Sequence, residues 1–123
     1  MKPLQITTTE TEALLGVSRV QVSRLAKAGQ IVRASRGRYD AASTAHAFIG
    51  RLYGSFMGRK VAHPQSVQYQ KLDVHRATFR EMLADITADR EPPPTDQELD
   101  AAADAWRDEL HTAFLARYRS SPW

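Results

Sequence analysis

The apolar positions of this chain change their period several times, and each change marks an element. Thr7 and Glu10 have capping-box spacing, as do Thr9 and Glu12, so a short helix begins at one of these threonines. Leu14 and Leu15 supply most of its apolar face. Gly16-Val17-Ser18 then breaks it: glycine tolerates positive φ, Val17 can turn inward, and Ser18 can cap a second helix. From about Arg19 to Ala28, Val22, Leu25 and Ala26 recur at i, i+3 and i+4 and predict that helix. Val20, Arg24 and Lys27 fall opposite that stripe, Arg19 sits at its N-terminal end, and Gly29 is a natural stop.

Ile31-Val32-Arg33-Ala34 and Arg38-Tyr39-Asp40 flank Ser35-Arg36-Gly37, the pattern of a tight β-hairpin with glycine at the turn. So short a hairpin must lean on the helices. Asp40 is placed to cap a third helix, in which Ala45, Phe48, Ile49, Leu52 and Tyr53 keep helical spacing. Gly54, Gly58 and Pro64 among polar residues then mark a boundary.

From about Ser66 to Arg90, Leu72, Phe79 and Ile86 are seven apart with His75 and Met82 between them, a heptad-like seam. Pro92-Pro93-Pro94 ends that helix, and Thr95-Asp96-Gln97-Glu98 is a capping box that starts the last one. There Leu99, Ala103, Trp106, Leu110, Phe114 and Tyr118 form a stripe at steps of three and four. The result is an antiparallel helical hairpin. Two helices alone bury little, so the rest of each stripe should pair with a second copy or with the N-terminal part. The expected fold is mostly α. Residues 1–54 form a helix-turn-helix with a small β-wing, 55–65 a linker, 66–119 an oligomerisation hairpin and 120–123 a tail. The oligomerisation residues are Leu72, Phe79, Met82, Ile86, Leu99, Trp106, Leu110 and Phe114.

Charge divides the chain in the same place. Residues 1–60 carry ten Lys/Arg against Glu10, Glu12 and Asp40, a net of +7; residues 61–123 have a net of −4. A basic half joined to an acidic half points to polyanion binding in the first. The predicted second helix has the chemistry for a major groove, with its first residues nearest the base edges. Arg19 suits a bidentate contact with guanine, Gln21 and Ser23 suit base edges or phosphates, and Val20 suits a thymine methyl. Ser18, Arg24 and Lys27 are placed for the backbone, where contacts give affinity and register. Arg33, Arg36 and Arg38 crowd the wing, whose tip can approach the minor groove or the phosphates.

Ile6-Thr7-Thr8-Thr9-Glu10, Leu14-Leu15-Gly16-Val17-Ser18, Gly29, Gly37-Arg38-Tyr39-Asp40-Ala41-Ala42 and Phe48-Ile49 carry a resemblance over residues 6–53. This stretch resembles the N-terminal domain of lambda-type phage terminase small subunits, and the same winged domain resembles those of MerR-type regulators and phage excisionases. The terminase resemblance implies recognition of viral packaging DNA, assembly into a dimer or ring, and a large ATPase–nuclease subunit as partner. The others imply a phage or bacterial transcriptional regulator, or an excisionase-like architectural factor, working as a dimer. A third expectation is an assembly protein that keeps the winged fold without binding DNA. Thr11 and Glu12 stand where such first helices usually place Leu and Ala, which predicts a loose or shifted first helix.

The remaining chemistry is sparse. There is no cysteine, hence no disulfide or thiolate site, which fits a reducing cytoplasm. No signal-peptide or membrane-length apolar run occurs, so the expected setting is cytoplasmic, the host cytoplasm if phage-encoded. His46, His63, His75 and His111 lack metal-ligand spacing, and no phosphate loop or catalytic triad is present. The acids of the last helix read as a solvated face. The expectation is a double-stranded-DNA-binding protein without cofactor, metal or catalysis.

Overall fold

The computed structural model describes residues 3–48 and 72–120, with side chains as far as residue 113. In order they form β1 (Gln5–Thr7), α1 (Thr8–Leu15), α2 (Arg19–Lys27), β2 (Arg33–Ser35) and β3 (Arg38–Asp40). A further helical stretch, α3, covers 44–48, and beyond it lie α4 (Leu72–Thr87) and α5 (Asp96–Ser120).

Local chemistry sets the ends of the first two helices. Of the two candidate capping boxes, Thr7 and Glu10 form: Thr7 Oγ1 accepts from Glu10 N at 3.2 Å and Glu10 Oε1 accepts from Thr7 N at 2.8 Å. Gly16, at φ 65°, reverses the chain, and both its N–H and that of Val17 donate to the Glu12 carbonyl. Ser18 opens α2 with a second capping box, closed by Gln21. Gly29 ends it at φ 78°, with Gly29 N donating to Ala26 O and Gln30 N to Leu25 O, the paired bonds of a Schellman motif. The expected looseness of α1 is not found. Thr11 is fully buried, and its hydroxyl donates to the Thr7 carbonyl at 2.8 Å, so the polar group in the core is satisfied.

The wing gains a strand that the hydropathy pattern does not predict. Gln5-Ile6-Thr7 pairs antiparallel with β3, giving the order β1-β3-β2 with Ile6 opposite Tyr39, both buried. Three residues are too few to display a period-two pattern, so pairing rather than sequence creates β1. The Arg36-Gly37 turn joins β2 to β3 with Gly37 at φ 72°, and a bulge lies between Arg33 and Ser35. Asp40, expected to cap the third helix, instead opens a turn over residues 41–43, its Oδ1 accepting from Ala42 N at 3.1 Å, and the helix begins only at residue 44. Ile49, Leu52, Tyr53 and the proposed linker 55–65 lie outside the described residues, as do the first turn of the helix expected from Ser66 and the tail end 121–123.

The C-terminal helices pack on each other, and α4 also packs on α1. Phe79 of α4 stacks on Trp106 of α5 with centroids 4.6 Å apart, and Phe48 of α3 closes on Trp106 at 5.2 Å and on His75 at 5.1 Å. Of the two occupants expected for the hairpin stripes, the N-terminal part is the one observed. The stripe of α4 is Leu72, Phe79, Leu83 and Thr87, with Leu83 fully buried, while Met82 is 38% exposed and Ile86 only partly covered. A straight helix drifts about 20° per heptad from a seven-residue repeat, which moves the stripe from Met82 and Ile86 onto Leu83 and Thr87.

On α5, Leu99, Ala103, Trp106 and Leu110 are buried as expected, joined by Ala102 and Ala113; the side chains of Phe114 and Tyr118 lie outside those described. The acids of α5 read as a solvated face are largely exposed, Asp96, Asp100, Asp104 and Asp108 among them, and some of them, together with Asp73 of α4, also pair with arginines across the hairpin. Asp104 accepts from Arg76 Nε at 2.7 Å, Asp100 from Arg80 Nε at 2.5 Å, and Asp73 from Arg107 Nε at 2.7 Å.

Candidate nucleic-acid interface

The capping box at Ser18 places the start of α2 at the surface. Arg19, Val20, Gln21, Arg24 and Lys27 are all exposed, Val20 at 60%, whereas Val22 behind them is fully buried. Ser23 is half-buried at the flank. Ser18 is exposed, and its Oγ accepts from Gln21 N at 3.3 Å while Gln21 Oε1 accepts from Ser18 N at 3.0 Å. This Ser-x-x-Gln spacing was the available signal for a second role of Gln21, in addition to groove contact. Beside it, Leu15, Val17, Leu25, Ala28 and Ala47, with Gln21 and Arg24, line an apolar groove of about 350 Å³.

The wing arginines are exposed but do not form one patch. Arg33 is paired with Tyr39, so it shares that side of the sheet, and its guanidinium lies 5.8 Å from the Tyr39 ring centroid. Arg38 alternates to the other side, and Arg36 occupies the turn. Thr8 N donates to Gly37 O at 3.2 Å, which ties the turn to the first residue of α1.

Ion pairing separates the two halves. Among the described residues, Arg76, Arg80, Arg90 and Arg107 each have a carboxylate partner. Arg19, Arg24, Lys27, Arg33, Arg36 and Arg38 enter no ion pair among those residues. Exposed cations without a neutralising carboxylate, beside a helix N-terminal turn, have the chemistry to attract an anion.

A clasp that the sequence did not signal holds this surface to the hairpin. Arg90, beyond the end of α4, grips both carboxylate oxygens of Glu10 and donates to the Gln5 carbonyl at 2.7 Å. Burial alone would raise the Glu10 carboxyl. The Arg90 hydrogen bonds, that of Thr7 N and the guanidinium charge outweigh it and hold the carboxyl below its ordinary range. Glu109 goes the other way: burial raises it, the His46 charge lowers it, and Asp40 raises it again.

The residues assigned to self-association have another place. Leu72, Phe79, Leu99, Trp106 and Leu110 are buried within one chain, Ile86 is half-buried, Met82 is partly exposed, and the Phe114 side chain is outside those described. Within one chain, α1 packs against α4, and Phe48 of α3 lies against His75 and Trp106. Among the described residues no group of three or more His, Cys, Asp or Glu gathers as a metal site, and no helix is long and apolar enough to cross a membrane.

Residues 5–39, from β1 to the middle of β3, match a family model described as transcriptional regulator, AbiEi antitoxin. This segment of the chain is similar to that family, and it contains both α2 and the wing. Neither the curated proteins nor the solved structures yield a match. The match agrees with the regulator side of the resemblance and gives no support to the packaging side.

Proposed function

We propose that the chain is a double-stranded-DNA-binding transcriptional regulator with no catalysis of its own. The observation that carries this reading is the contrast in ion pairing among the described residues: α2 and the wing hold unpaired cations, while the arginines of the hairpin are neutralised. The similarity of residues 5–39 to transcriptional regulators supports it. In this reading α2 enters the major groove, Arg19 contacts guanine O6 and N7, and Val20 packs on a thymine methyl. Arg24 and Lys27, further along α2, hold phosphates, as does the Ser18 hydroxyl, and these contacts set register. Arg36 reaches the adjacent backbone or minor groove, with Arg33 and Arg38 on either side of the sheet. The helical hairpin is the support on which α1 and the wing rest.

Binding of the full chain to sheared DNA from the genome that encodes it, followed by sequencing of the bound fraction, tests this reading. Enrichment of promoter-proximal segments is expected, and Arg19→Ala combined with Arg36→Ala should abolish it. Enrichment of a single locus beside packaging genes would replace the regulator with a packaging protein. No retention of DNA would overturn both and leave a winged assembly protein.

A further inference from the structure

The wing is too short to hold its own direction: β2 and β3 have three residues each, and a two-stranded hairpin of that size is marginal alone. Its base is fixed by Val32, whose N–H donates to Ser43 Oγ at 2.9 Å and whose carbonyl accepts from Asp40 N at 2.9 Å. Its tip is fixed by α1. Gln5 pairs with Asp40, Ile6 with Tyr39 and Thr7 with Arg38, and the next pair in that register is Thr8 with Gly37. Thr8 N donates to Gly37 O at 3.2 Å, so the ladder runs one rung past β1 into the first residue of the helix. The first amides of a helix have no partner inside it, which leaves this one available to the wing. Gly37 follows Arg36 in the turn, and α1 also packs on α2. One helix therefore carries both surfaces that the proposed function brings to DNA.

From this geometry we infer that Thr8 is a positioning residue of the DNA site: its backbone N–H sets the wing tip, and with it Arg36, in a fixed place relative to α2 before DNA arrives. The inference rests on the DNA-binding reading above. Two contacts on one rigid frame engage together, because the second does not have to be found after the first has formed. A wing held only at its base would have to be ordered by the DNA, and that ordering would weaken the Arg36 contact. Thr8 acts through the backbone, so any residue with an N–H serves and proline is the exception. Proline is favoured at the first position of a helix, and Thr7, at φ −76° and ψ 170°, already has the extended backbone that a residue before proline adopts. Thr8→Pro thus keeps α1 and its capping box while removing the rung. Its ring carbon, standing where the hydrogen was, also pushes the Gly37 carbonyl away.

The experiment is the salt dependence of the affinity of the full chain for a mixed-sequence duplex. It compares wild type, Thr8→Ala, Thr8→Pro, Arg36→Ala and the Thr8→Pro/Arg36→Ala double variant, with a melt of each. Thr8→Ala keeps the N–H and should match wild type. Thr8→Pro should lower the slope of log affinity against log salt by about one unit, as Arg36→Ala does, because it takes one cation from the phosphates. The double variant should also lose about one unit and not two, since the rung then has no Arg36 left to place. A wild-type slope for Thr8→Pro, or a loss of about two units in the double variant, would overturn the assignment while leaving the DNA-binding reading standing. Should Thr8→Pro melt below the assay temperature, amide hydrogen exchange of the wild type decides. The Thr8 amide is expected to be protected without DNA. An amide that exchanges freely until duplex is added would equally overturn the assignment, because the DNA would then be ordering the wing. A wild type that binds no duplex would remove the reading itself, and the assignment with it.

Discussion

At the scale of the residue, the Arg90–Glu10 clasp ties the two halves of the described fold together. It joins segments eighty residues apart, and Glu10 also closes the cap of α1. The Glu10 side chain is 14% exposed and that of Arg90 26%, between an open surface pair and a buried one. Its loss through Arg90→Ala should cost about 1–2 kcal/mol, read as a lower midpoint in urea. The pH dependence comes from the lowered Glu10 carboxyl. A carboxyl whose folded-state value lies below its unfolded one contributes stability that is complete above the ordinary value of 4.5. That contribution drains away as pH falls through the lowered folded value. The melting-temperature advantage of wild type over Glu10→Gln should therefore be full at about pH 7 and shrink towards about pH 3. Nothing in the sequence linked these residues, because an ion pair between distant segments leaves no local pattern.

Elements divide by whether their causes are local. The starts of α1, α2 and α5 and the turns at Gly16, Gly29 and Gly37 were legible, since a capping side chain or a positive φ acts within a few residues. The strand β1 was not, because Gln5-Ile6-Thr7 becomes a strand only through pairing with β3. The α4 seam was legible in part: Leu72 and Phe79 are buried, but the helical drift replaces Ile86 with Leu83 and Thr87. Trp106 is where the elements meet, between Phe79 of α4 and Phe48 of α3. Trp106→Ala should cost about 4 kcal/mol by opening a cavity against both rings. Denaturant unfolding monitored by circular dichroism should show this as one early transition, since the hairpin and the N-terminal half share the core. Unfolding of the hairpin alone, with α1 and α2 retained, would contradict that sharing.

For the molecule as a whole, the polarity of charge seen in the sequence becomes a division of partners. The cations of the C-terminal half that are described face carboxylates across the hairpin and clasp, and those of α2 and the wing face outward. The basic surface was legible because exposure of α2 stems from its apolar period, and the wing from its glycine turn. The role of the hairpin stripe was not: an unpartnered apolar face specifies burial without specifying which surface supplies it. The most direct test of the DNA-binding claim is the salt dependence of duplex affinity for single substitutions in the full chain. Arg24→Ala and Arg36→Ala should each reduce the slope of log affinity against log salt by about one unit. Arg107→Ala, which removes a cation already paired with Asp73, should leave the slope unchanged. Equal slopes for all three variants and wild type would contradict the account.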